Sequence, residues 1–430
     1  MIVEMTPSIT LYYRDLGQFA ALHNLGYEFK KRGFKPQYSK NLNSQSDIGI
    51  YACDANSFYN FEKGEWDKPR SVLSIFLIHD LNQHNDSEYK HFITDPLKVF
   101  DLALFPSAIW IEWLEESGKY ADTRPRIGSA VVGYPKSDDL FNADGTFAVN
   151  YLDSNKDHET VKILVAPSWQ SRHVVHDLEV LLDDPRFQVS FKSPEWEDDF
   201  ETKVFGPWKE VLLAQRIESK YVEDLVRSDS RFVSLPNDID IFSAIKEADL
   251  IISNGSNVLF EGLICERPGI NVTNWLHPAG ENGEHSSKAY VDFAGIISGN
   301  SKDLRALVDL AMSDQIVPLV KEGKSRLVSQ KTLGKASYLS AELIIDTYKK
   351  LVSEESVDLS INFTAASKIW TNSELELAQT RILERIAQNR KLLSANPPNV
   401  AVAERDSILN STIWSLFTPY RKAKNLFRKS

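Results

Sequence analysis

The stretch Asp249–Cys265, DLIISNGSNVLFEGLIC, decides how this chain is read. Leu250 to Ile252 is an apolar run of buried-strand length, and Val258 to Cys265 is helical in pattern. Between them, Ser253-Asn254-Gly255-Ser256-Asn257 supplies a polar turn. A strand, a polar turn and a helix in direct succession form the repeating unit of an open α/β sheet. Small hydroxyl residues, a glycine and backbone N–H groups at a helix start suit a phosphate cradle. The same residues are also preferred N-caps, and both readings stand on spacing alone. The turn matches neither the GxxxxGK[ST] loop nor GxGxxG.

Outward from this block the alternation continues. Gly269 to Val272 is the next strand, and a helix through Ile241, Ile245 and Ala248 comes before the block. Arg231 to Leu235, Phe187 to Phe191 and Val161 to Ala166 are strands, each running into a polar loop. Residues 141–160 are polar and read as a linker. Before it lies a second series: a helix over residues 18–33 with Gly33 as its stop, then strands at Asp47–Ala52, Ser71–Ile78, Ala103–Pro106 and Ser129–Gly133, with a helix over Ser107–Gly118. Two such series imply two Rossmann-type α/β lobes with a cleft between them, whose post-strand loops are where ligands bind. The expected domains are an acceptor lobe at 1–145, a nucleotide-donor lobe at 155–345 and a helical extension at 346–430.

Composition narrows the function classes. A 430-residue chain with 42% hydrophobic and 25% charged residues is globular and long enough for two cores. The formal net charge of −11 argues against general attraction to nucleic acid. Cys53 and Cys265 form no CxxC or Cys/His cluster, so neither a zinc site nor a disulfide framework is expected. The N-terminus lacks the pattern of a signal peptide, and no run approaches the roughly 20 apolar residues of a membrane span. The expected location is the cytoplasm. The segment 412–430, TIWSLFTPYRKAKNLFRKS, mixes aromatic and basic residues without an acid, the composition of an interfacial membrane contact. A partner protein would fit the same surface.

Several side chains at strand ends are candidates for chemistry. His79, directly after SVLSIFLI, is placed to act as general base on an acceptor hydroxyl, with Asp80 or another acid orienting it. The bland alternative is a hydrogen-bonded loop histidine. Lys136, in Gly133-Tyr134-Pro135-Lys136, and Arg172, in the loop that begins Pro167-Ser168, are placed to neutralise donor phosphates, or are ordinary exposed cations, with Tyr134 expected to face the cleft beside Lys136 and Ser168 to contact the donor. Glu261, inside the helix after Ser256, reaches either a donor hydroxyl or solvent.

At these residues the chain resembles the CDP-glycerol glycerophosphotransferase family of bacterial wall and capsule polymer synthesis, or its close GT-B relatives. Phe76-Leu77-Ile78-His79 resembles the family's strand ending in histidine, and Val132 to Asp138 resembles its GYPK-x-D segment. Ile163 to Trp169 is similar to "ILxAPTW", and Phe191-Lys192-Ser193-Pro194 to a "KPHP" loop. Asp240 to Pro268 resembles the block with a "TDYSS" turn and a helix ending in "KRP", and Leu333 to Ser337 the late "DGKAS". The pieces span about residues 75 to 340 in the family's order. Departures occur at Asp80, where Gly is usual, at Ser193-Pro194-Glu195 and at Asn254-Gly255.

The resemblance implies a GT-B fold and an inverting-type transferase without an essential metal or other cofactor. His79 would be the base, and Ser253, Ser256 and Asn257 would hold donor phosphates with Lys192 and Arg172 as helpers. An acceptor hydroxyl would attack the phosphorus bearing the polyol, and CMP would leave. The leading expectation is polyol-phosphate transfer from a CDP-linked donor to a glycan or lipid-linked acceptor at the inner face of the cell membrane. A glycosyltransferase using a nucleotide sugar, a nucleotide-sugar 2-epimerase and a non-catalytic transferase-like subunit of a membrane assembly remain alternatives.

Overall fold

The computed structural model describes residues 6–352, apart from 15, 53–57, 61–64, 68, 80, 82–95, 117–123, 149–159, 169–170, 172–173, 194–219, 237–238 and 276–292. The linker beyond 148, the extension beyond 352, the segment 412–430, Asp80 and Arg172 lie outside the described residues.

The first sheet contains β1 (Ile9–Tyr12), β2 (Gln37–Ser39), β3 (Ile48–Tyr51), β6 (Leu73–Leu77), β7 (Leu102–Phe105) and β8 (Gly128–Val131), with β4 (Tyr59–Asn60) and β5 (Glu65–Trp66) forming a separate antiparallel pair. The six strands are parallel in the order β2-β1-β3-β6-β7-β8. Strands β1, β3, β6 and β7 are buried at every position, as expected when helices cover both faces of a parallel sheet. Helix α1 (Leu16–Lys31) turns Ala21, Leu22, Leu25 and Phe29 into this core. It ends on Lys30 and Lys31, which complement the helix dipole, and stops at Gly33 with φ +85°. Helix α2 (Ile109–Glu116) follows β7.

The second sheet comprises β9 (Val161–Val165), β10 (Phe187–Phe191), β11 (Phe232–Ser234), β12 (Leu250–Ser253), β13 (Gly269–Val272) and β14 (Ile296–Gly299), all parallel in the order β11-β10-β9-β12-β13-β14. The chain lays down β9, moves outward through β10 and β11, then returns to the other side of β9 with β12. The topological switch point therefore falls between β9 and β12, where an open α/β sheet opens a crevice at its carboxyl edge. Helices α3 (Val174–Leu182), α4 (Ile241–Lys246), α5 (Val258–Ile264), α6 (Leu304–Ala311) and α7 (Ile316–Leu327) accompany this sheet. Val174, Leu178 and Leu181 of α3 and Leu304, Val308 and Ala311 of α6 join its core. Two parallel sheets flanked by helices make this a GT-B-like, two-lobed α/β fold.

Contacts divide the chain into Met1–His79, Lys90–Asp139 and Thr332–Ser430 as one unit, and Asp80–Tyr89 and Leu140–Lys331 as the other. Helix α8 (Ala336–Val352) therefore belongs with the first sheet, although the expected donor lobe extended to residue 345. The reason is packing: Ala341, Leu343, Ile344 and Leu351 complete the first core, and α8 lies against α1. Asp138 fixes its start by accepting the N–H groups of Ala336 and Ser337 at 2.8 and 2.6 Å. The first part of the expected linker is also ordered. Phe141 pairs with Phe147 across a turn, their rings stack, and Lys324 Nζ lies 4.2 Å from the Phe147 ring centroid and 2.7 Å from Glu266 Oε1.

Candidate functional site

In the first unit, β6 delivers His79 to the carboxyl edge of the sheet. Its carbonyl oxygen accepts the Tyr134 phenol O–H at 2.9 Å. Tyr134 is itself buried, and its own carbonyl accepts the Ser137 N–H and hydroxyl. Tyr134 is thus a brace for His79, whereas the sequence suggested a residue facing the cleft. The His79 Nδ1 atom is sealed from solvent and has no partner among the described residues. A neutral imidazole that accepts a proton at Nε2 carries its hydrogen on Nδ1, so the base role requires an acceptor there. Lys136 lies half-buried in the 3₁₀ turn Pro135–Leu140.

In the second unit, the turn after β12 divides into an internal half and a presented half. Ser253 is buried and its hydroxyl donates to the Ala166 carbonyl at 2.5 Å. Asn254 is buried too: Oδ1 accepts the Ser168 N–H at 2.9 Å and Nδ2 donates to Ser168 Oγ at 3.1 Å. The Gly255 N–H donates to Asn271 Oδ1 at 3.0 Å. Ser253 and Asn254, which the sequence offered as donor-binding side chains, are therefore corrected to structural fasteners. Each lies at the end of a central strand, where a polar group can be buried only if the protein supplies its partner.

The presented half begins at Gly255, whose φ of +59° is a left-handed conformation that glycine takes without strain. The N–H groups of Ser256, Asn257 and Val258 then have no partner among the described residues. Asn257 does not cap α5 with its side chain; its Oδ1 accepts the Leu81 N–H at 2.7 Å. Ser256 and Asn257 are partly exposed, as is Ser168.

The remaining candidates separate from this turn. Glu261 is only 2% exposed and sits inside α5, so it reaches neither solvent nor a donor hydroxyl. It faces inward because every residue of α5 is buried between its neighbours. Lys192 follows β10, two strands from β12 in the sheet, and is 7% exposed. Burial pushes the Cys265 thiol well above its ordinary value, which removes it as a nucleophile. Among the described residues no cluster of His, Cys, Asp and Glu has the arrangement of a metal site, and no helix is long and apolar enough to cross a membrane.

The sequence reading missed Asn271 and Ser298. The signal was present in GINV, because an asparagine inside a short apolar strand contradicts strand propensity and marks a buried polar task.

No protein-family model and no curated protein matches this chain. Solved structures do. The chain is similar to MnaA of S. aureus in complex with UDP, with a TM-score of 0.50 and 13% identity over 82% of this chain and 100% of that one. It is similar to a Listeria monocytogenes protein assigned as a UDP-N-acetylglucosamine 2-epimerase, with a TM-score of 0.50 and 10% identity over 80% and 98% of the two chains. The wall teichoic acid polymerase TagF aligns over 80% of this chain and 90% of its own, with a TM-score of 0.48 and 14% identity. At these identities the two likenesses at 0.50 show the fold alone, in agreement with the two parallel sheets of the chain.

Proposed function

We propose that this chain is a GT-B-type transferase that binds a nucleotide-activated donor on its second unit, with a CDP-linked polyol as the donor class. The observation that carries this reading is the switch point between β9 and β12. The two loops that flank it hold Ser168 and the Gly255–Asn257 turn, and the amides of Ser256, Asn257 and Val258 have no partner among the described residues. The order of the family-like segments supports the CDP-polyol donor, and the likeness in fold to a UDP complex supports a nucleotide at this site. In the proposed reaction an acceptor hydroxyl forms the new O–P bond, the bond from phosphorus to the CMP oxygen breaks, and the proton passes to His79. Asp80 keeps the orienting role read from the sequence. The segment 412–430 is proposed to hold the protein at an anionic membrane.

Incubation with CDP-glycerol and a lipid-linked glycan should release CMP, and His79→Ala should abolish release while donor affinity changes little. CMP release undiminished in that variant would remove His79 from the reaction. A second reading, a UDP-sugar 2-epimerase, is favoured by the likeness in fold to the Listeria protein. It predicts exchange of the sugar C2 hydrogen with solvent and no loss of nucleotide. That outcome in deuterated water, without CMP release, would replace the transferase reading.

A further inference from the structure

His79 stands just past the ladder of β6. The Ile78 N–H still reaches the Leu104 carbonyl at 3.4 Å, and the His79 N–H has no such partner among the described residues. Among those residues His79 makes a single hydrogen bond, the one its carbonyl accepts from the Tyr134 phenol at 2.9 Å. Its Nδ1 is sealed from solvent and unbonded. An imidazole without bonds of its own takes its place from its backbone, so whatever fixes that backbone fixes the direction of Nε2.

Tyr134 suits that task. It follows β8, and the sheet order β6-β7-β8 puts the end of β7 between it and His79. Two strand spacings are roughly 10 Å, a gap that calls for a long side chain with a polar tip. Tyr134 is 2% exposed, so its phenol acts on the protein and not on a ligand. Phenylalanine would fill the same space; burial explains the ring and leaves the hydroxyl to be explained by what it holds. The turn beneath it is pinned from several sides. The Tyr134 carbonyl accepts the Ser137 N–H at 2.9 Å and the Ser137 hydroxyl at 2.8 Å, and the Pro135 carbonyl accepts Asn24 Nδ2 of α1 at 3.1 Å. Asp138 accepts two N–H groups of α8, and the Val132 N–H donates to the Phe105 carbonyl at the end of β7 at 3.0 Å. A phenol on so fixed a turn can hold a neighbour in place.

We propose that Tyr134 is a positioning residue for His79: through the His79 carbonyl it sets where the imidazole points when the acceptor hydroxyl loses its proton. This rests on the reading of His79 as the base. A base displaced by about 1 Å loses much of its effect on rate, whereas a donor held on the second unit binds as before.

The test compares the full chain in wild type, Tyr134→Phe and Tyr51→Phe. Tyr51 is also buried in the first core, and its hydroxyl shares a 2.7 Å hydrogen bond with Ser71 Oγ, ahead of β6. This control therefore loses an equivalent bond away from His79. One readout is CMP release from CDP-glycerol with a lipid-linked glycan. The other, without substrate, is the rate at which diethyl pyrocarbonate modifies the His79 ring, followed by mass spectrometry. Tyr134→Phe should lower kcat about tenfold to a hundredfold with the KM for CDP-glycerol within about twofold, and should raise the modification rate at least about threefold. Tyr51→Phe should leave both readouts within about twofold of wild type at a comparable loss in urea midpoint. An unchanged kcat or an unchanged modification rate in Tyr134→Phe, with only its urea midpoint lowered, marks a structural bond and overturns the proposal. Wild type that releases no CMP overturns the donor reading instead, and the modification rates then decide the tether by themselves. Ser137→Ala covers the case in which Tyr134→Phe does not fold. It keeps the phenol and loosens its turn, so the His79 rate should rise at least about twofold, and an unchanged rate there overturns the proposal.

Discussion

Asp138 carries a conflict between burial and capping that can be measured. Burial pushes its carboxyl from 3.8 up to about 6, against the opposing pull of the Ala336 and Ser337 N–H groups that it accepts. A carboxyl whose folded pKa lies above its unfolded value binds its proton more tightly in the folded state. Its contribution to stability is therefore greatest below about pH 4, declines as pH rises toward about 6, and is level above that. The full swing is at most about 3 kcal/mol, and the partial exposure of the group reduces it. Asp138→Asn removes the titration and places an N–H group against the Ser337 N–H, at a cost of about 1 kcal/mol. The stability advantage of wild type over this variant, from urea melts, should therefore be larger near about pH 4.5 than near about pH 7. An advantage that does not change with pH would show that Asp138 titrates like an exposed carboxyl. The Asp138–Ala336–Ser337 contact also explains two of the family-like segments, GYPK-x-D and the late GKAS: they meet as a clasp that docks α8 on the first unit.

Among elements, the return of α8 to the first sheet depends on a close approach at Gly133. This glycine has φ +96°, and a Cβ built on it would lie 2.6 Å from Thr332 Oγ1 and 2.8 Å from the Ala336 Cβ. Gly33, which stops α1, has a similar φ of +85° with nothing within 4 Å of such a Cβ. The pair separates conformational strain from collision. Gly33→Ala should cost only the left-handed backbone, about 1 kcal/mol, whereas Gly133→Ala should cost about 2–4 kcal/mol because α8 must also shift. Equal losses in urea melts would mean that α8 does not bear on Gly133. Most elements of this kind could be read from sequence, because SVLSIFLI is largely apolar, FQVSF alternates apolar and polar residues, and both end in polar loops. Strand β2, QYS, could not: it lies at the sheet edge and is partly exposed, so its pattern does not differ from that of a loop.

On the scale of the whole molecule, charge is the property that bears on location. The chain carries −11 overall, so an anionic membrane repels it on average, yet residues 412–430 contain five basic residues and no acid. At about 1 kcal/mol per basic residue near anionic lipid, that segment alone can overcome the average repulsion, with its aromatic residues adding interfacial affinity. Deleting 412–430 should abolish cosedimentation with vesicles containing phosphatidylglycerol, and wild-type binding should weaken at about 0.5 M salt. Binding that survives the deletion would place the membrane contact elsewhere.

The sequence by itself determined the two α/β series, the boundaries of most strands to within a residue or two, and the polar turn between β12 and α5, because buried strands and helix starts carry local composition. It could not determine which polar side chains of that turn are spent inside the protein. Ser253 and Asn254 look the same in sequence as Ser256 and Asn257, and their partners Ala166 and Ser168 lie 87 and 86 residues away. The side to which α8 returns was likewise decided by the tertiary structure, where Asp138 meets residues 198 and 199 positions further along. Local pattern records what a segment prefers to be, whereas hydrogen-bond satisfaction in a buried site depends on groups that only the folded chain brings together.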